Sequence, residues 1–415
     1  MKNNNVKKRK GSLKLLAFRV AEISSSPINQ ITKHQWHANN SLKPERPMFM
    51  IDQLPWNELD VNNELKLQCE DPFCQELETT LRQLIYRWEH MRDDFVYEPV
   101  IYIPMIINGI SYGLSIKEDL IQYESGNDIF SHHYYDLLQN EEDLEKLKFP
   151  NITLNEEETK RRETIAHETF DDILEIIMDG YTPHFNPWDE IAQWRGCDTM
   201  LYDFVDRPDF MHKIMRKTVD INLSILEQCE RKGLLSKPQQ RIHCSGGWSE
   251  EIPAEGYDPH KPRAKDIWTY GMAQIFTTVA PKVHNEYEID YAIDWYSRFA
   301  LGNYGCCEPL DDRLEYIKRI PNIRKISMSP WVKNRASAAE QMESRYVFLN
   351  KPNPAYLIAD AWDADLVEND LKITFEACKK YKCPLEYVLK DVSTVNHKPK
   401  VLWKWVEIAR KVCEG

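Results

Sequence analysis

Two short stretches of this chain carry side chains that bind metals or move protons. His284 and Glu286 form an H-x-E pair, and Cys306 and Cys307 are adjacent. One imidazole, one carboxylate and one or two thiolates are a donor set that suits zinc with an open coordination position. Thiolates favour a soft or borderline ion, whereas calcium and magnesium want oxygen ligands. Each residue also has a structural reading. Glu286 at a helix start is favoured by the helix dipole, and His284 fits a capping or core histidine. Adjacent residues of a regular strand point to opposite faces. One of the two cysteines is therefore expected inward as a ligand, with Cys307 favoured, and the other as a buried thiol. Glu308 follows as a candidate acid, base or further ligand, or as a polar loop residue before Pro309. Lys351 precedes Pro352 and Pro354, placed to hold an anionic substrate or steady a leaving group, or else exposed in a turn. Trp248, Tyr287, Tyr304 and Trp331 offer aromatic walls for a substrate, with core packing as the alternative. His243-Cys244, before Gly246-Gly247, could line the same pocket and gives no support for a second metal site.

The elements that must position these residues come from periodicity. Residues 14–38 suggest helix with a break at Ser24–Pro27. Arg46–Asp52 and Pro99–Ile107 suggest extended segments, the second weakened by Pro104. Leu77, Leu81, Leu84, Ile85 and Trp88 give helical spacing over Pro72–His90, and residues 155–178 are also expected helical. Pro187–Arg195 suggests a helix start, and a long amphipathic helix is expected from Arg207-Pro208 to Leu234. Beyond Gln239, strands are expected at Arg241–Cys244, Ala273–Val279, Ala300–Cys307, Arg324–Ser329 and Arg345–Leu349. Helices are expected at Glu286–Phe299, Asp311–Arg319, Ala336–Glu343, Asp365–Tyr381 and Lys400–Val412. Strand–helix alternation with short connections implies a parallel sheet. A barrel fits best, because polar and Gly/Pro-rich residues recur after the strands, where barrel enzymes keep their chemistry.

The bulk numbers are those of an ordinary globular protein. The chain has 415 residues, 42% hydrophobic and 29% charged, and a net charge of −13. That charge argues against a nucleic-acid partner; the basic cluster Lys2, Lys7, Lys8, Arg9, Lys10 and Lys14 suits a solvated terminus. No apolar run is long enough to cross a membrane, and no leader pattern opens the chain. Ten cysteines spread thinly through the sequence suggest a reducing cytoplasm rather than a disulfide framework.

Several stretches resemble a known superfamily. Trp194–Pro208 places a glycine turn before an Asp-x-Pro helix start, and resembles a segment of the uroporphyrinogen decarboxylase-like superfamily. Lys43–Trp56, Tyr304–Leu310, Lys325–Trp331 and Lys351–Pro354 resemble a subgroup of it found in anaerobic bacteria. The resemblance covers nearly the whole chain beyond residue 12. It implies an α/β fold, a (β/α)8 TIM barrel over 96–415 with an N-terminal helical extension over 1–95. The superfamily holds porphyrinogen decarboxylases and zinc methyltransferases that serve corrinoid proteins, so fold alone does not choose the reaction. The paired substrate-binding arginines of the decarboxylases have no equivalent here; Arg46 is isolated. The zinc methyltransferases use H-x-C and a later cysteine, and this chain has H-x-E and then Cys306-Cys307. The resemblance therefore implies a zinc-dependent methyltransferase with His284, Glu286, Cys306 and Cys307 as metal residues. The expected reaction moves a methyl group from a small donor, a methoxylated aromatic above all, to the cobalt of a corrinoid protein supplied as partner. Alternatives are a thiol- or amine-directed corrinoid methyltransferase, a decarboxylase, and a non-catalytic small-molecule-binding barrel. Monomer and homodimer both stay open.

Overall fold

The computed structural model describes the backbone of residues 2–122, 130–359 and 362–415, with side chains for 11–121, 131–359 and 362–415. All of the basic N-terminal side chains except Lys14 lie outside the described ones. The chain opens with α1 (Lys2–Ser24) and α2 (Pro27–Asn40), separated at the Ser24–Pro27 break. Proline at the first position of α2 costs nothing, since its missing N–H would have no helical partner. A further helix, α3 (Pro72–His90), is capped by Asp71, whose side chain accepts from the Cys74 N–H.

Seven strands form one sheet, and every pairing in it is parallel. In chain order they are β1 (Met48–Ile51), β4 (His184–Phe185), β5 (Trp268–Gly271), β6 (Leu301–Tyr304), β7 (Ile323–Met328), β8 (Val347–Asn350) and β9 (Leu385–Leu389). Their spatial order is β1-β9-β8-β7-β6-β5-β4. The two remaining long strands, β2 (Val100–Pro104) and β3 (Glu175–Asp179), pair in parallel with each other, and β3 leads into β4 across Gly180–Pro183. No pair among the described residues joins β1 to β2. The result is an α/β protein with a parallel sheet of TIM-like type. No helix among the described residues is long and apolar enough to cross a membrane.

Strands β1, β6, β8 and β9 are buried at every position, as a parallel sheet covered on both faces requires. One face carries Phe49, Phe348, Tyr387 and Leu389 into the large core. The other face carries a polar centre. Lys325 on β7 and Glu386 on β9, both fully buried, pair at 2.8 Å. The Lys325 ammonium also donates to Ser245 Oγ at 2.6 Å and to the Gly246 carbonyl at 2.8 Å. Glu386 accepts from Ser245 and from Asn39 of α2. A buried pair is tolerated only when its remaining donors and acceptors are used in this way. The pair thus ties α2 and the 241–246 hairpin to the sheet. A separate apolar cluster, including Leu13, Phe73, Leu77, Leu81, Ile101, Ile103 and Phe170, joins α1 and α3 to β2 and β3.

Several expected elements differ. Ala273–Val279 is not a strand: Gln274–Thr278 is a 3-10 turn and the strand is Trp268–Gly271. A short apolar run does not distinguish the two states, and here Phe276 packs on Trp188, Phe204 and His284 instead. The helix expected over 155–178 ends at Phe170, and β3 follows. Asp311–Arg319 holds only one helical turn, Leu314–Ile317. The segment 1–95 is more than a helical extension, because it contributes β1 to the edge of the main sheet.

Candidate functional site

Cys306 and Cys307 follow the end of β6. Gly305 has φ +95, and a side chain there would strike Leu310. This glycine turn ends the strand, so the alternation that should separate the two cysteines no longer applies. Both sulfurs converge, with Sγ–Sγ 3.5 Å. Asp391, just past β9, brings Oδ2 to 3.6 Å from the Cys307 sulfur. The ligand atoms of Cys306, Cys307 and Asp391 all lie within 4.8 Å of one another, and no other such group occurs among the described residues. The edge of a tetrahedron built on zinc–sulfur bonds of ~2.3 Å is ~3.8 Å. Cys306, Cys307 and Asp391 could therefore stand at three corners of a small tetrahedral site.

Cations surround this group. Lys390 donates to the Cys306 sulfur at 3.1 Å and lies 3.3 Å from Asp391. Lys351 is buried, with its ammonium 3.5 Å from His243 Nε2. The Cys307 thiol's hydrogen bond holds Cys306 far below the usual thiol range, against the cost of burial and with help from Lys351 and His243. The same contact, with burial, pushes Cys307 upward. Burial and then Lys351 bring His243 down to about 4. Its ring stacks on Tyr270 at 4.9 Å, and Tyr270 stacks on His184 at 5.3 Å. His243, Cys244 and Asp391 all have positive φ, at 43°, 70° and 56°. Left-handed backbone at non-glycine residues is costly, and it collects where function holds it in place.

The other predicted residues are distributed differently. His284 is buried, with Nε2 2.6 Å from the Tyr304 hydroxyl and Nδ1 3.0 Å from the Arg313 guanidinium. Both ring nitrogens are taken, so His284 does not join the cysteines. Burial and then Arg313 push it down to about 3. Glu286 lies at the surface, 3.5 Å from His212. Residues two apart on a helix face different ways, so the H-x-E pair does not act as a unit. Glu308 is fully buried and accepts from the Cys306 N–H at 2.9 Å and the Ala273 N–H at 3.1 Å. Its carboxylate holds the Cys306 turn in place. Tyr287 and Tyr304 are buried; Tyr287 stacks on His212, and Tyr304 sits against Tyr296 and His284. Trp331 is exposed past β7, and Trp248 lines a cavity between β1 and β2. Sequence reasoning missed Lys390 and Asp391, because it assigned no strand over Leu385–Leu389.

No protein-family model matches the sequence, and no curated protein matches it significantly. Twenty solved chains match in structure. One is a methyltransferase from Methanosarcina mazei, 10% identical, with a TM-score of 0.50 over 92% of this chain and 98% of that one. At that identity the likeness shows the fold.

Proposed function

We propose that this protein is a methyltransferase of the uroporphyrinogen decarboxylase-like type, its β2–β3 pair completing a barrel. The observation that carries the proposal is the convergence of two thiols and a carboxylate at the C-terminal ends of β6 and β9. That end of a parallel sheet is where such folds place their chemistry. Cys306, Cys307 and Asp391 would hold zinc there. When bound, the ion supplies Lewis acidity toward an ether or phenolate oxygen. In this reading the donor is a methoxylated aromatic and the acceptor is the cobalt of a corrinoid protein. The carbon–oxygen bond would break with its electron pair left on the departing oxygen, and the methyl group would pass to the corrinoid partner, whose reduced cofactor would supply the pair for the new bond. Lys351 faces the same centre and would stabilise that oxygen. Lys390 balances the charge of Cys306 and Asp391. Glu308 would serve by fixing the Cys306 turn rather than by moving a proton. Cys307 and Asp391 are partly open to solvent, as access by a second protein's cofactor requires.

The test has two parts. Metal analysis of the purified protein is expected to give about one zinc per chain. Mixing methoxyarenes with the reduced corrinoid protein is expected to give the cobalt absorbance change of methylation. A metal-free protein that methylates no corrinoid with any methyl donor would sink the proposal.

A further inference from the structure

Between β1 and β2, which do not pair among the described residues, lies a cavity of about 490 Å³. Small-molecule pockets run from ~300 to ~1,000 Å³. Met50 and Asp52 line it from the β1 side, Tyr102 from β2, and Phe95 and Trp248 from the connecting segments. Arg241 reaches it from the 241–246 hairpin.

The charges around the cavity select among ligands. Of the four acidic groups lining it, Asp52 faces Arg241 at 3.7 Å and the other three have nearer partners. Asp94 accepts from Arg46 at 2.7 and 2.8 Å, Glu98 pairs with Lys33 at 2.9 Å, and Asp179 accepts from the Lys237 N–H at 2.8 Å. Ring faces that would cage an ammonium ion already meet resident cations. Lys33 lies 4.1 Å over Trp248, and Arg87 lies 5.0 Å over Phe95. The loosely held cation is Arg241. Its side chain is 48% exposed, its ion contact is Asp52 at 3.7 Å, and its guanidinium makes no hydrogen bond among the described residues. It also stands 5.5 Å over Phe95. A planar ring in the cavity would place an anionic substituent against a guanidinium fork whose ion contact with Asp52 is long.

Cys306, Cys307 and Asp391 do not line the cavity; Arg241 and His243 link it to them. Arg241 and His243 are two residues apart, hence at most ~7 Å between Cα atoms, and His243 adjoins Lys351. The Cys244 thiol, pushed up chiefly by burial, is within electrostatic reach of Asp52, Lys390, Lys351 and Arg241. We infer that this cavity seats the methyl donor, and that the donor is an aromatic anion whose carboxylate or phenolate is read by Arg241. The inference rests on the methyl-transfer reading for the fate of the ligand, but not for its binding.

Calorimetric titration of the full-length protein tests it, with 4-methoxybenzoate, methoxybenzene and choline as probes. Wild-type protein should bind 4-methoxybenzoate more tightly than choline. Arg241→Gln should weaken 4-methoxybenzoate at least tenfold and leave methoxybenzene within twofold; Arg241→Glu should weaken it further. In turnover, Arg241→Gln should raise KM with kcat nearly unchanged. The seat is overturned if 4-methoxybenzoate fails to bind, if choline binds better, or if Arg241→Gln binds 4-methoxybenzoate as wild type does. Arg241-dependent binding without any corrinoid methylation would support the seat and overturn only the reaction. Methylation of the corrinoid with wild-type KM in Arg241→Gln would support the reaction and overturn only the seat.

Discussion

His284 and His243 are both largely buried imidazoles near the C-terminal end of the sheet, yet their surroundings are opposite. His284 is closed on both nitrogens by Tyr304 and Arg313, in the layer between β6 and its helices. His243 stands on a left-handed turn, stacked on Tyr270, with Nε2 toward Lys351 and the cysteine pair behind it. One histidine is committed to holding helices against a strand. The other lies beside the Cys306, Cys307 and Asp391 group. A metal-binding residue type is therefore a weak guide until the partners of its nitrogens are known.

The largest expected difference between the two regions is in metal and activity. Cys307→Ser or Asp391→Asn should weaken zinc binding well beyond the ~10–100-fold cost of losing an outer partner, with methyl transfer falling in parallel. Both side chains are partly exposed, so the urea midpoint of the metal-free protein should hardly move. His284→Gln should retain about one zinc per chain. Zinc lost from His284→Gln but kept by Cys307→Ser would reverse the comparison.

Stability should show the opposite pattern. Arg313 donates to the Phe276 carbonyl at 2.8 Å, to the Val279 carbonyl at 2.8 Å and to His284 at 3.0 Å. Arg313→Met strips the Val279 carbonyl and His284 Nδ1 of this donor and leaves the Phe276 carbonyl only the Val279 N–H at 3.2 Å, at a cost of about 2–4 kcal/mol. Urea unfolding measures it. A loss under about 1 kcal/mol would mean that the layer behind β6 is not the brace described here.

What the sequence disclosed follows from which signals are local. Proline and cap residues marked the starts of α2, α3 and the 208–232 helix, and strands β6, β7 and β8 lie within the alternation of strands and helices expected beyond Gln239, with ends shifted by one to three residues. β9 was missed because Glu386 interrupts Leu385–Leu389, and only the distant partners Lys325, Ser245 and Asn39 make a buried glutamate acceptable there. With β9 went Lys390 and Asp391. Cys306 and Cys307 were legible as reactive types, but their convergence depends on the Gly305 turn, which periodicity does not register. Tyr304, offered as a pocket wall, faces Tyr296 and Gly302 packs beside it, a choice of face that only the sheet's register decides.

Acid sharpens the comparison by a moderate amount. Burial, followed by Arg313, holds His284 at about 3, against ~6.5 in an unfolded chain. The folded protein keeps this imidazole neutral where the unfolded chain would protonate it. The stability so gained is complete above pH ~6.5 and is lost as pH falls toward 3. Between pH 6.5 and 5 the loss is about 2 kcal/mol. His284→Gln should flatten that part of the stability-against-pH curve. An unchanged slope would show that other groups carry it.

The smallest effect expected is at Glu286, the other half of the H-x-E pair. Its carboxylate is about half exposed and faces His212 at 3.5 Å, a contact of the surface type worth ~0–1 kcal/mol. Glu286→Gln should change stability by no more than about 0.5 kcal/mol and leave zinc content and methyl transfer as in wild type. Because its neighbour two residues back is sealed against Tyr304, nothing in the fold lets the two act on one ion. A zinc content halved by Glu286→Gln would require Glu286 to leave His212 and reach the cysteines, and would restore the H-x-E pair as a ligand motif.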